Sequence, residues 1–320
     1  MYKTAIGNDI EKAKALLVAG ELVAIPTETV YGLAGNGLSE TAIDKIYAAK
    51  NRPQFNPLIL HVASIGQAER WVAEMPLACT LLMQSFSPGP ITYLLPKSSL
   101  VPDLVTAGSP MVAIRIPSHA MALDLLGRLD FPLAAPSANP SGYVSPVSAE
   151  HVFQGLNGKI PYILDGGNCK VGLESTIVGF ENNTVVIHRL GGITAEQIRL
   201  VSGAEVRTAL SHASPTAPGQ LKSHYATSKP FYLGDIPALC KGFNDKKIGV
   251  LSFDKLSGLA VEEEILLSAA GSMEEAAEQL YAAMRALDQC EIDIIVAGRL
   301  PDEGIGRAIN DRLERAAYKS

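Results

Sequence analysis

Gly20 and Pro26 bracket an apolar run at residues 22–25, and the chain just beyond it is polar and stiff. A run this short fits a buried strand better than a helix. Pro26-Thr27-Glu28-Thr29-Val30-Tyr31-Gly32-Leu33 follows, so the hydroxyls of Thr27 and Thr29 project from the strand's carboxyl end. Ligands of open α/β sheets gather in the crevice beyond such ends. The same two threonines equally suit a turn that satisfies its own backbone, and this segment alone does not choose between the two.

The next pattern is helical. Ser39 serves as N-cap, Ala42, Ile43, Ile46 and Tyr47 share one face, and the helix ends near Lys50. Lys50 and Arg52 suit the negative end of the helix dipole without any ligand. Against that, Pro53 and Pro57 stiffen the following chain and hold Lys50, Arg52 and Asn56 in one short loop, an arrangement suited to phosphate.

No Gly-x-x-x-x-Gly-Lys-Ser/Thr loop, Gly-x-Gly-x-x-Gly, His-Glu-x-x-His or Gly-x-Ser-x-Gly occurs. A nucleotide would therefore be held by cations and hydroxyls spread over several loops. The 320 residues suffice for two domains with real cores, and 47% hydrophobic against 19% charged residues marks a well-buried globular chain. A net charge of -6 argues against a protein that coats nucleic acid and favours small-molecule chemistry. Residues 1–10 lack the layout of a secretory signal and no apolar run reaches membrane-spanning length, so a cytoplasmic protein is expected. Cys79, Cys169, Cys240 and Cys290 have neither zinc-ligand nor disulfide spacing and are expected as buried thiols.

Met111-Val112-Ala113-Ile114-Arg115-Ile116 reads as a half-buried strand with an arginine set into it. With no acidic residue nearby in sequence, a carboxylate or phosphate ligand is preferred for Arg115 over a structural ion pair. Small residues from Ala134 to Gly142 allow a ligand close to the backbone, and Ser137, Asn139, Ser145 and Ser175 add polar groups. Each alone suits a turn or cap; their number, with Arg52, Arg115 and Arg189, favours binding. His61, after Leu58-Ile59-Leu60, reads alone as a satisfied core histidine.

Set in order, Pro26–Leu33, Lys50-Asn51-Arg52-Pro53 with Asn56-Pro57-Leu58, Ser87-Pro88-Gly89-Pro90-Ile91-Thr92, Val112 to Pro117, Ala135-Pro136-Ser137-Ala138-Asn139, Glu174-Ser175-Thr176-Ile177-Val178 and Arg189-Leu190-Gly191 resemble the YrdC-type threonylcarbamoyl-AMP synthases. The match spans roughly residues 8–206.

Residues 211–230 are rich in Ser, Pro and Ala and read as a linker. Beyond them, strands at 247–253 and 292–297, a capping box from Ser272 to Glu275 before a long helical pattern, and a last helix at about 306–318 suggest a small α/β layer with a mainly parallel sheet. This layout resembles the long, two-domain form of the synthase. The chain departs from a common pattern of that form with Pro218-Gly219-Gln220 and with Thr227 after His224-Tyr225-Ala226.

The resemblance implies an N-terminal YrdC-like α/β domain with a twisted mixed sheet and concave site (1–206), a linker and possible lid (207–230), and a smaller C-terminal Rossmann-like α/β domain (231–320). It implies L-threonine, bicarbonate or CO2, and ATP as substrates, with Mg2+ carried by ATP rather than by a protein cage and no tightly bound cofactor. The product, threonylcarbamoyl-adenylate, would pass to a tRNA threonylcarbamoyl transferase for N6-threonylcarbamoyladenosine at position 37, without direct tRNA binding. By the same resemblance Thr29, His61, Arg115, Ala135 and Ser175 hold threonine. Lys50 and Arg52 act on the ATP phosphates, and Asn56, Met111, Ser137, Asn139, Ser145, Arg189 and Tyr225 complete the ATP side. Two other classes stay open: an RNA-binding or ribosome-maturation module, and a former of carbamoyl-adenylate from carbamoyl phosphate.

Overall fold

The computed structural model describes residues 2–209, 224–256, 259 and 261–318. The chain divides into two units, one of residues 1–141, 146–170 and 174–221 and one of residues 142–145, 171–173 and 222–320. Two short pieces of the first two-thirds thus belong with the second unit. The Pro218-Gly219-Gln220 motif and most of the expected linker lie outside the described residues.

The first unit is built on a mixed sheet. Its described strands are β1 (Ala5–Gly7), β2 (Val23–Ile25), β3 (Gly32–Asn36), β4 (Ile59–His61), β5 (Ile91–Pro96), β6 (Met111–Arg115), β7 (Leu133–Ala134), β8 (Tyr162–Leu164), β9 (Thr176–Glu181), β10 (Thr184–Arg189) and β11 (Glu205–Thr208). They lie in the order β1-β8-β2-β3-β7-β4-β6-β5-β9-β10-β11. β2 is the short apolar run, fully buried, entered through Gly20 at φ +76° and left at Pro26. Helix Glu40–Lys50 starts where the sequence places it, Ser39 Oγ accepting from the Ala42 N–H, and stops at Asn51 in a left-handed conformation. Ala42, Ile43, Ile46 and Tyr47 are its buried face. One core cluster packs Leu17, Val23, Ile25, Leu125 and Leu133 together.

β6 departs from the half-buried reading. Val112 and Ile114 on one face and Ala113 and Arg115 on the other are all buried, so the strand has no solvent side. Among the cysteines, Cys79, Cys169 and Cys240 are buried as expected, and burial pushes the first two thiols up to about 12. Cys290 is only partly buried.

The second unit carries a four-stranded sheet, β12 (Phe231–Leu233), β13 (Ile248–Ser252), β14 (Glu263–Leu266) and β15 (Ile294–Ala297), in the order β12-β15-β13-β14. Every pairing in it is parallel. Helices Met273–Gln289 and Gly306–Ala317 follow the sequence pattern to within a residue or so. The capping box at Ser272 is only half formed. Ser272 Oγ accepts from the Glu275 N–H, but the Ser272 N–H turns to Ser268 Oγ, and Ser268 in turn donates to Glu275. Ser268 thus bridges a gap that Glu275 was expected to close alone. The full box stands at Thr194 and Gln197, opening helix Ala195–Ser202.

Candidate active site

Four adjacent strands of the large sheet, β4-β6-β5-β9, bring distant residues onto one face. Ile59 is in register with Ala113 and His61 with Arg115; Leu94 faces Ala113, and Thr92 faces Ile177. Because alternate side chains share a face, Ile59, Leu94, Ala113 and Ile177 meet as an apolar cluster with Met111 against it. One step along the same strands, His61, Arg115 and Thr92 form its polar margin. Ser175 lies just before β9, and its Oγ is 2.7 Å from Thr92 Oγ1. Arg189 completes this margin, donating from Nη2 to Ser175 Oγ at 2.9 Å and from Nε to the Ser175 carbonyl at 3.0 Å. Gly191 makes that approach possible: a Cβ there would lie 2.2 Å from the Glu174 carbonyl oxygen.

Arg115 corrects the sequence reading. Its Nη2 donates to Glu28 Oε1 at 2.8 Å within a buried ion pair, and Glu28 Oε2 accepts from the Ser118 N–H at 3.0 Å. Glu28 stands 87 positions away, so proximity in sequence could not reveal it. Arg115 Nε is buried with no hydrogen-bond partner among the described residues, which leaves this guanidinium a donor in reserve. His61 keeps Nδ1 3.2 Å from the Ile59 carbonyl, as a satisfied buried histidine would. Burial first, and the Arg115 charge second, bring its pKa down to about 3 and hold it neutral.

The threonine segment forms the self-satisfied turn. Thr27 Oγ1 donates to the Val30 carbonyl and accepts from the Thr29 and Val30 N–H groups, which is the self-satisfied turn. That turn presents buried Thr29, whose Oγ1 is 2.8 Å from Thr27 Oγ1.

The cationic loop is more deeply set than a helix terminus needs. Lys50 is 1% exposed, and its Nζ donates to the carbonyls of Ser137 and Asn139. Burial, then the charges of Arg52 and Lys159, hold its pKa well below the usual lysine value. An ammonium placed for the helix dipole would stay in water and suffer neither effect. Arg52 donates from Nε to the Asn56 carbonyl and from Nη2 to the Pro57 carbonyl. Asn56 Oδ1 is buried without a hydrogen-bond partner among the described residues. The Ser137 segment is fixed from both sides, by the Gly32–Ser137 bridge and by the Ala138 N–H bonding to the Tyr31 carbonyl at 2.8 Å. Ala135, ahead of it, gives its N–H to the Ile59 carbonyl.

Among the expected residues of the first unit, Lys50 thus meets the carbonyls of Ser137 and Asn139, Arg52 meets the Asn56 carbonyl, and Ser175 meets Arg189 on the sheet face that carries His61 and Arg115. Ser145 and Tyr225 belong to the second unit. Tyr225 is fully buried there, at φ +63°, stacked on Tyr281 at 5.5 Å with the Arg312 guanidinium over its ring. Glu28 and Thr92 were missed. A carboxylate set between two threonines before an apolar run, and a threonine entering a strand after Pro-Gly-Pro, were the available signals.

The family model of the Sua5, YciO and YrdC proteins, described as "Telomere recombination", matches residues 15–191, and the model "Threonylcarbamoyl-AMP synthase, C-terminal domain" matches residues 193–318. The threonylcarbamoyl-AMP synthase of Bacillus subtilis (strain 168) is 40% identical over 96% of this chain and 92% of its own length. That of Pyrococcus abyssi (strain GE5 / Orsay) is 39% identical, over 96% of this chain and 94% of its own. The crystal structure of P. abyssi Sua5 complexed with L-threonine superposes with a TM-score of 0.91 at 37% identity, covering 99% of this chain and 97% of that one. With both family models matched in sequence and full-length relatives at this identity, the chain belongs to the Sua5/YciO/YrdC family, in its two-domain threonylcarbamoyl-AMP synthase form.

Proposed function

We propose that this protein joins L-threonine, bicarbonate or CO2, and ATP into L-threonylcarbamoyladenylate, releasing pyrophosphate, and so performs the first step of N6-threonylcarbamoyladenosine synthesis on tRNA. The observation that carries the reading is a surplus of buried positive charge. Among the described residues of the first unit, Lys50, Arg52, Arg115 and Arg189 are buried cations, against only two buried carboxylates, Glu28 and Glu174. A surplus of buried cations is costly unless an anion offsets it, and the two substrates bring a carboxylate and a triphosphate.

The chemistry asks for positioning rather than a protein nucleophile. The threonine amine adds to CO2, forming the N–C bond of a carbamate and giving a proton to solvent. A carbamate oxygen then attacks the α-phosphorus; the new P–O bond forms as the bond to the β-phosphate oxygen breaks, and pyrophosphate leaves. Arg115, already oriented by Glu28, grips the threonine carboxylate, with Thr29, neutral His61, Ala135 and Ser175 around the amino acid. Lys50 and Arg52 stabilise the phosphate charge; Asn56, Met111, Ser137, Asn139, Ser145, Arg189 and Tyr225 complete the nucleotide side. The Arg189–Ser175 contact lets threonine and ATP groups meet at one point, where carbamate and α-phosphate must approach.

Among the described residues no group of three or more His, Cys, Asp or Glu side chains is placed to hold a metal ion. Mg2+ in this reading arrives on the triphosphate. Among those residues, too, no helix is long and apolar enough to cross a membrane. The product, a reactive mixed anhydride, is handed to a tRNA threonylcarbamoyl transferase. The test is pyrophosphate release from ATP and bicarbonate: the reading expects release only when L-threonine is added, and release that ignores threonine overturns it.

A further inference from the structure

One face of helix Met273–Gln289 does more than pack against its own sheet. Ala277, Tyr281, Arg285 and Asp288 follow at helical spacing and are all buried. Each meets a segment outside the β12–β15 fold. Gly172, at φ +69°, lies so close that a Cβ on it would stand 2.3 Å from the Ala277 carbonyl oxygen. Tyr281 stacks on Tyr225.

Arg285 meets residues 143–145. Its Nη2 donates to the Val144 carbonyl at 2.5 Å and its Nε to the Ser145 carbonyl at 3.3 Å, while the guanidinium lies 4.8 Å from the centre of the Tyr143 ring. The Tyr143 hydroxyl donates to Asp288 Oδ2 at 2.7 Å. Asp288 also accepts from the Ser228 N–H and hydroxyl and from the Lys229 N–H. Burial alone would raise the Asp288 carboxyl, but these bonds outweigh it and lower it; burial brings Arg285 down to about 10.

A leucine at 285 would fill this space without the desolvation cost of a buried guanidinium. What only arginine supplies is a planar donor fork that fixes two successive carbonyls. Those carbonyls flank the side chain of Ser145. We propose that Arg285, held through Tyr143 and Asp288, is a positioning residue for Ser145: it sets the peptide of residues 143–145 in the geometry the nucleotide needs. The role rests on the proposed function, in which Ser145 serves ATP.

The experiment compares the full-length wild type with Arg285→Met, Arg285→Lys and Tyr143→Phe. It measures ATP affinity by calorimetry, KM for ATP and for threonine, kcat for pyrophosphate release, and the melting temperature. Arg285→Met is expected to weaken ATP binding about ten-fold or more while KM for threonine stays within about two-fold. Lysine, which can reach one carbonyl but not fork across two, recovers part of that loss. Tyr143→Phe keeps the ring, removes its bond to Asp288, and gives a smaller loss in the same direction; it carries the test if Arg285→Met does not fold. Unchanged ATP affinity in a folded variant, or equal losses for threonine and ATP that track the melting temperature, overturn the positioning role. A wild type that neither binds ATP nor releases pyrophosphate overturns the assignment beneath it instead.

Discussion

The two sheets handle charge in opposite ways. On the large sheet, His61, Arg115 and Arg189 are buried ionisable residues within strands, and Lys50 at a helix end and Arg52 in the loop after it are buried in the same unit. On the four-stranded sheet no strand residue is both charged and buried; the buried charges of that unit, Arg285, Asp288 and Arg312 among them, sit on helices. There each finds protein partners: carbonyls for Arg285, hydroxyl and backbone donors for Asp288, and Asp311 for Arg312. The large sheet instead sets Arg115 and Arg189 within its strands, where no carboxylate is buried. On both sides the buried cations find protein acceptors, but only the large sheet carries them in its strands, and in the proposed function the substrates bring further anions to them.

The largest test of this contrast is Arg115→Ala. It strands the Glu28 carboxylate in the interior and is expected to cost about 3–5 kcal/mol of stability, with threonine use lost. Replacing both partners, Arg115→Met with Glu28→Gln, should return most of the melting temperature without returning threonine use. Recovery of both would make the pair purely structural. Next in size is Arg52→Ala, expected to raise KM for ATP by about 10–100-fold, the range of one charge-assisted contact, while threonine binding measured without ATP stays within about two-fold. Equal losses for both substrates in a folded variant would erase the division between the half-sites.

His61 supplies a pH test. Its folded pKa, about 3, lies below the ordinary 6.5, so on acidification the unfolded chain takes up the proton first. The stability it contributes is complete above about pH 6.5 and is lost toward about pH 3, by up to about 1.4 kcal/mol per pH unit. His61→Asn should flatten the dependence of the urea midpoint on pH between about 6 and 4; an unchanged slope would mean that the imidazole is not held neutral. The smallest effect is expected from Thr92→Val, which removes the 2.7 Å contact with Ser175 Oγ. It should cost about 1 kcal/mol, read as a few-fold rise in KM for threonine with ATP unaffected.

Much of the local structure was legible. The strand before Pro26, the helix from Ser39 to Lys50 and the parallel character of the second sheet all follow from apolar spacing, a cap and two prolines. The ordered motifs identified the family. The partners of the charges were not legible. Glu28 and Arg115, Thr92 and Ser175, Lys50 and the carbonyls after Pro136 are each separated by more than eighty positions. Nor was the division of the chain, since residues 142–145 and 171–173 read as part of the first domain and belong with the second.

The sequence by itself thus determined which elements form and which chemistry is carried, because periodicity, caps and turn residues act within a few positions of one another. Only the tertiary structure decided which charges are balanced and which are held in reserve. Strand register is what sets His61 beside Arg115 and Thr92 opposite Ile177, and long-range packing is what brings Glu28 to a guanidinium 87 residues away.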